Sequence, residues 1–314
     1  MMAVHAIGVD VGGTKIRGAL VDLANGTLIA VHQVPTPPRG TTPDAATVVR
    51  AMIARLATGP QRPVGIGIGL PELVTNEGSV ESDWVLDWRG LDPQSLADGG
   101  IPVILDSDVR CGARAELRFG AGRALSCFSY VSIGTGCSAV QCIDGRIHRG
   151  ACGFAIHFGS SDLVSIRDTG GTGAFNLEAR ASGQGIGNLF AARGGGHVPT
   201  HEIMRRRQKD PIAQQVLLDA AQAMASYLGQ MVNLLDPEAL ILGGGLGLSA
   251  DYRQMLIAEL PRFIWARARR NIPVLAATTG PDAGVTGAAC LFGPAADTPS
   301  GGGGWQGFGT APAR

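Results

Sequence analysis

The amino-acid sequence predicts an α/β protein built as two similar halves around a central cleft. Three observations carry that reading. A succession of strand, glycine turn, strand, tight turn and strand occurs twice, from His5 to Val31 and again from Phe128 past Gly145, and such self-similarity points to internal duplication. Residues of helical spacing and then a short apolar strand follow later in each half, as when helices cover a sheet. The chain has 314 residues, of which 45% are hydrophobic and 17% charged, enough to fill a core in each half.

In chain order, Ile7-Gly8-Val9-Asp10 forms the first strand, a glycine turn follows, and Ile16 to Asp22 returns antiparallel. Asn25-Gly26 then makes a tight hairpin turn into Leu28-Ile29-Ala30-Val31. Apolar positions from Pro43 to Leu56 have helical spacing. Val64 to Gly69 alternates glycine with β-branched residues, the mark of a strand that another backbone approaches closely. The second set begins with Phe128 to Ile133, turns at Gly134-Thr135-Gly136, runs from Cys137 to Ile143 and turns again at Asp144-Gly145. Pro211 to Leu235 reads as a long amphipathic helix stopped at Asp236-Pro237, before a buried strand, Ala239 to Leu242, and Gly243-Gly244-Gly245. From about Pro294 the chain lacks apolar periodicity and contains four consecutive glycines, so residues 294–314 are expected to be a disordered tail.

Composition excludes several classes of function. Twenty-six basic residues balance twenty-six acidic ones, which gives no electrostatic draw toward nucleic acid or an anionic membrane. No signal peptide precedes the first strand and no apolar run is long enough to span a bilayer, so a cytoplasmic protein with a small-molecule partner is expected. Six cysteines without a C-x-x-C pair read as reduced, mostly buried thiols.

Asp10-Val11-Gly12-Gly13-Thr14-Lys15 lies between two strands, where backbone N–H groups and the Thr14 hydroxyl can face a phosphate. Asp10, at the strand end, can hold the water shell of Mg²⁺. A glycine pair in a hairpin is weak evidence alone, but Gly134-Thr135-Gly136 repeats the pattern in the second half, and two such turns can clamp a polyphosphate. Gly243-Gly244-Gly245 then offers a flat backbone surface for adenine and ribose.

These motifs, in this order, resemble the ROK family of bacterial sugar kinases, within the actin-like (ribonuclease H-like) ATPase and hexokinase superfamily. The likeness spans residues 5 to 292 and also takes in Gly67 to Pro71, Gly150-Ala151 with Gly153, Leu177-Glu178 with Ser182-Gly183, and Asp282 to Ala289. It implies ATP and Mg²⁺ as cofactors, a homodimer, and two actin-like domains at 1–107 and 108–293, with a C-terminal helix able to return to the first. It also implies a base after the strand Pro102 to Leu105. The family has Asn-Asp there and this chain has Ser107-Asp108, which makes Asp108 the candidate catalytic base, with a helix cap as the plain structural alternative.

Departures from the family pattern fall on the acceptor side. Where the family carries Gly-Glu-x-Gly-His, this chain reads Gly153-Phe154-Ala155-Ile156-His157, keeping the histidine and replacing the glutamate. The family's three zinc-binding cysteines correspond to Thr169, Gly171 and Asn176, so no zinc is expected. Glu178 stands where the family has a sugar-contacting glutamate, and Pro71-Glu72 replaces Pro-Gly, placing a carboxylate toward the cleft. The expected substrate contacts are therefore Glu72, Ser107, Asp108, Phe154, His157 and Glu178. Phe154 and His157 also fit ordinary core packing.

A site built for glucose would suffer from losing an acidic acceptor and an amide. The resemblance then implies a modified hexose: kanosamine, phosphorylated on its primary hydroxyl in antibiotic biosynthesis, with a C7-cyclitol or glucose as alternatives. Asp106, Glu72 and Asp162 are the carboxylates expected to face the ammonium of an amino sugar. Two readings of another kind are a sugar-responsive regulator, whose helix-turn-helix would precede the first strand, and a pseudokinase, against which the retained Asp10, Asp108 and both turns argue.

Overall fold

The computed structural model describes residues 4–160, 162–164 and 174–293 of the chain, with side chains undescribed for 162–164 and 174–175. The tail expected over 294–314 lies outside the described residues.

The opening hairpins form as expected. β1 (His5–Val11), β2 (Lys15–Asp22) and β3 (Leu28–Pro35) are successively antiparallel, and β3 alternates between half-buried and exposed positions as a sheet edge should. α1 (Ala45–Ala57) starts at Asp44, whose carboxylate accepts from the Thr47 N–H at 2.8 Å. It buries Val49, Met52, Ile53 and Leu56, the spacing of one helical face. β4 (Ile66–Leu70) and β5 (Val103–Ser107) add in parallel, which gives the order β3-β2-β1-β4-β5.

α2 (Asp108–Phe119) leads into the second half. There β6 (Phe128–Ile133), β7 (Cys137–Ile143) and β8 (Arg146–Ile147) repeat the antiparallel set. A small hairpin, β9 (Asp162–Val164) with β10 (Ala174–Asn176), precedes α3 (Leu177–Ala181), α4 (Gly183–Ala192), α5 (Thr200–Arg206) and α6 (Pro211–Leu235). β11 (Ala239–Gly243), α7 (Gly244–Gly247), α8 (Ala250–Glu259) and β12 (Val274–Ala276) follow, and α9 (Ala283–Ala289) closes the fold. The second sheet has the order β8-β7-β6-β11-β12, with β6, β11 and β12 parallel. Strand for strand this is the first sheet again, so the duplication read from the glycine turns is real. The α/β, duplicated actin-like architecture follows from it.

Each sheet has its own core. Ile7, Val9, Ile16, Val49, Ile53, Ile68 and Leu105 fill the first. Val131, Ile133, Leu217, Met224, Leu228, Leu242 and Tyr252 fill the second, mostly beneath α6. α9 returns to the first sheet, where Val285, Ala289 and Cys290 join Ala6, Ala19 and Val21. The close backbone approach expected at 64–69 is to this helix: a Cβ on Gly67 would collide with the Ala288 carbonyl, and one on Gly8 with that of Val285. α9 is equally tight against α2, because Gly287 faces the Cys111 carbonyl. The contact fixes α2, whose first residue is Asp108.

Candidate active site

The second glycine turn is built into a nucleotide-sized cavity. Gly134 N–H donates to the Gly136 carbonyl at 2.9 Å, closing the turn, and the N–H groups of Gly183 and Gln184 donate to the carbonyls of Gly134 and Thr135. Those donors are the first N–H groups of α4, so the turn is tied to a helix start. Gly183 has no room for a side chain, since a Cβ there would lie 2.9 Å from the Gly134 oxygen. The cavity measures about 950 Å³ and runs from Gly134, Thr135 and Gln184 to Gly245, Leu246 and Ser249. Gly244 takes φ of 74° as the chain leaves β11 and passes over Ile133, at the end of β6. The structure thus brings Gly134 and Thr135 into one cavity with Gly245, and Gly136, Gly243 and Gly244 adjoin them in the backbone. His197 and Pro199, between α4 and α5, and His201, in the first turn of α5, also line it. Sequence reasoning missed these three, which carry no motif and reach the cavity only through the fold.

The first turn, Gly12 to Lys15, joins β1 to β2, with Gly12 N–H donating to the Lys15 carbonyl at 2.9 Å. Thr36 holds it from β3's end, its hydroxyl donating to the Gly12 carbonyl at 2.6 Å and its N–H to that of Thr14 at 3.1 Å. Gly13, Thr14 and Lys15 are exposed and Asp10 is partly buried. Desolvation raises the Asp10 carboxyl from 3.8 to about 6, with Lys15 opposing the rise.

Asp108 is the first residue of α2, and the cap is its neighbour: Ser107 Oγ accepts from Arg110 N–H at 3.4 Å. The alternative reading of Asp108 as the cap therefore fails. Its Oδ1 accepts from Val109 N–H at 2.6 Å. Its carboxyl is pushed up to about 7, first by desolvation and then by the charge of Asp10, with Glu72 adding to the rise and Val109 and Arg110 opposing it. A partly exposed carboxylate of that basicity, close to Asp10, is suited to accept a proton near neutral pH.

Two expected substrate contacts, Ser107 and Glu72, and one carboxylate expected to face an ammonium, Asp106, have other work. Ser107 is fully buried as the α2 cap and presents no surface to the cleft. Glu72 is 1% exposed, and its carboxylate accepts from the Ser82 hydroxyl and from the N–H groups of Trp84, Val85 and Leu86. Asp106 is fully buried between Arg110, Arg114 at 3.0 Å and Arg149 at 2.9 Å, which hold it down at about 2 against strong desolvation. Neither Glu72 nor Asp106 can face an ammonium. Asp162, the third such carboxylate, has a side chain outside the described residues. The three arginines carry no motif in the sequence and were not foreseen. Arg110 and Arg149 also donate to carbonyls of Gly153, Val74 and Thr75, pinning the segment that holds Phe154 to the 72–76 loop.

The other residues expected at the acceptor are Glu178, His157 and Phe154. Glu178 Oε2 accepts from Cys137 N–H at 2.9 Å, just past the second turn. Its charge supports the protonated form of His157, but burial dominates and lowers the imidazole below its ordinary value. His157 Nε2 is buried and has no hydrogen-bond partner among the described residues. Phe154 is 39% exposed, which rules out the core-packing alternative for it. Of the zinc-cysteine positions, Asn176 caps α3 through its amide, accepting from Ala179 N–H at 2.7 Å. Thr169 and Gly171 lie outside the described residues.

Residues 6–294 match the ROK family. The glucokinase of Streptomyces coelicolor is 30% identical, aligned over 91% of this chain and 96% of its own. This chain belongs to the ROK family. A ROK hexokinase from Thermus thermophilus superposes with a TM-score of 0.76 at 28% identity, covering 91% of this chain and 97% of that one. A ROK family glucokinase from Streptomyces griseus, solved with glucose and AMPPNP, gives 0.73 at 28% identity over 91% and 98% of the two chains.

Proposed function

We propose that this chain, an ATP-dependent sugar kinase of the ROK family, transfers the γ-phosphoryl of ATP to the primary hydroxyl of a modified hexose or C7-cyclitol. The observation that carries the reading is Asp108, whose carboxyl is pushed up to about 7 by desolvation and by the nearby charge of Asp10, which sits in β1 where the chain enters the first glycine turn. ATP would lie with its adenosine toward Gly245 and Ser249 and its phosphates between Gly134-Thr135-Gly136 and Gly12-Gly13-Thr14. The raised carboxyl of Asp10 is chemistry that fits a cation: Mg²⁺ held there through its waters would neutralise phosphate charge. Asp108 positions the acceptor hydroxyl and takes its proton as the phosphoryl group moves.

The acceptor is weighted toward a neutral ring. Kanosamine depends on a carboxylate to receive its ammonium, and both Asp106 and Glu72 are fully engaged within the protein. Phe154 stands exposed in place of an acidic acceptor, which favours a ring lacking a hydroxyl on that edge. Kanosamine and a role in antibiotic biosynthesis remain in the proposal as the charged alternative, and glucose as the unmodified one. A homodimer and a cytoplasmic setting complete the reading, in keeping with six free thiols. A coupled assay with ATP and Mg²⁺ over glucose, kanosamine, glucosamine, N-acetylmannosamine and valiolone-type cyclitols tests it. Turnover of a cyclitol or neutral modified hexose ahead of kanosamine is expected, and silence on every acceptor would end the kinase reading.

A further inference from the structure

Glu72 fixes a short stretch of chain whose most prominent side chain the reaction has not yet used. Its buried carboxylate accepts from three successive backbone N–H groups, of Trp84 at 3.1 Å, Val85 at 2.6 Å and Leu86 at 2.7 Å, and from the Ser82 hydroxyl. A carboxylate withdrawn from water is tolerable only with such donors, and here they dictate the path of the segment. That path leaves the Trp84 ring 58% exposed while Leu86 and Trp88 are buried on either side of Asp87. The exposed ring is not random surface. It meets His157 edge to face, with centroids 5.3 Å apart and planes at 82°.

His157 supplies the polar half of the arrangement. Its Nε2 is buried with no partner among the described residues, and its Nδ1 lies 3.4 Å from Ser160 Oγ. On the other side, the Val85 side chain comes within 3.5 Å of where a Cβ on Gly13 would sit. The segment therefore lies close to Gly13 of the first glycine turn and to His157 at once. A large exposed aromatic face beside a buried nitrogen awaiting a hydrogen-bond partner suits a saturated ring with an apolar C–H face and a hydroxylated rim.

We infer that Trp84 determines acceptor specificity, stacking on the C–H face of a pyranose or carbocyclic ring, and that Glu72 is the positioning residue that sets it there. The inference rests on the sugar-kinase reading of the same site. It selects acceptors whose stacked face carries no axial hydroxyl, because an axial group would lift the ring from the indole. It also accounts for a carboxylate at position 72: its role is to organise the Trp84 backbone, and it acts on the substrate only through that tryptophan.

The test uses the full chain and Trp84→Ala, Trp84→Phe, Glu72→Gln and the Trp84→Ala/Glu72→Gln pair. KM and kcat are measured for each panel sugar that the wild type phosphorylates, with KM for ATP and the quenching of tryptophan fluorescence by the sugar alone. Trp84→Ala should raise the acceptor KM about tenfold, the scale of a lost ring-stacking contact, and leave the ATP KM within about twofold. Trp84→Phe should restore most of the loss. Glu72→Gln should shift the acceptor KM in the same direction, and the double variant should be no worse than Trp84→Ala, as when one residue acts through the other. Trp84→Ala alters an exposed side chain and carries the test should Glu72→Gln fail to fold. An unchanged acceptor KM in an active Trp84→Ala enzyme overturns this inference and leaves the kinase reading standing. A wild type that neither phosphorylates nor is quenched by any of these sugars defeats both.

Discussion

Replacing Asp108 by Asn separates the catalytic from the structural consequence of one carboxylate. In the native fold the Asp108 carboxyl is raised from 3.8 to about 7, so its charged form is disfavoured by folding. Below about pH 4 the folded and unfolded chains both hold the proton and the substitution should be neutral. Between about 4 and 7 the unfolded chain releases its proton first, and wild-type stability falls relative to the variant. Above 7 the gap is complete. At 1.36 kcal/mol for each pKa unit the full rise corresponds to roughly 4 kcal/mol. Exposure of Asp108 to the cleft brings the expected gain of Asp108→Asn to about 1–2 kcal/mol at pH 8. Thermal melts at pH 4 and pH 8 should therefore show no difference at the first and a Tm higher by roughly 2–5 °C at the second. Over the same range wild-type kcat/KM for the acceptor should rise with a midpoint near 7, and the variant should be slower by about 10²–10⁴-fold with nucleotide binding retained. A variant that turns over at the wild-type rate would show that another group is the base. One that melts lower at pH 8 would show that the native fold favours the Asp108 charge.

The duplicated fold was legible because its signals are local. Two glycine turns between β-branched runs, with Asn25-Gly26 and Asp144-Gly145 as tight turns, are enough to specify two three-stranded units, and the order of the later helices and strands supplies the rest. The alternation of Gly65, Gly67 and Gly69 signals that other elements pack closely on that strand, but not which: Gly67 meets α9, Gly69 meets α2 and Gly65 meets the Phe292 ring. The acceptor side was less legible because it depends on side-chain direction. Asp106, Ser107 and Asp108 are consecutive, and the sequence says nothing of which enters the cleft. In the structure Asp106 points into three arginines drawn from α2 and from the chain after β8, Ser107 turns to cap α2, and Asp108 is left partly exposed. Glu72 reads as a cleft carboxylate only until the return of the chain from Ser82 to Leu86 is known, since that return supplies all four of its donors. Trp84 was hidden for the same reason.

The nucleotide side and the acceptor side should separate under substitution. Gly183→Ala puts a methyl 2.9 Å from the Gly134 oxygen, a clash of about 1–3 kcal/mol that loosens the second turn. ATP KM should rise severalfold with the acceptor KM little changed, and equal shifts in both would refute the assignment of that turn to the nucleotide. His157→Ala removes the buried Nε2, which has no partner among the described residues, and should raise the acceptor KM by about tenfold while sparing ATP, on the usual scale of a hydrogen bond to a bound ligand; no change would place His157 outside the acceptor site. Glu116→Ala tests how the halves are joined. The buried Glu116 on α2 accepts from the N–H groups of Ala121 at 2.7 Å, Thr278 at 2.9 Å and Thr279 at 2.8 Å, and the last two lie on the chain that leads from β12 to α9. Truncation strands these donors at a cost of about 1–3 kcal/mol each where they stay buried, so chemical denaturation should show a loss of at least about 3 kcal/mol. The loss should reach catalysis as well as stability, because α9 and α2 hold each other and α2 begins at Asp108. A variant that is destabilised yet keeps its full kcat at low temperature would show that the seat of Asp108 does not depend on that joint.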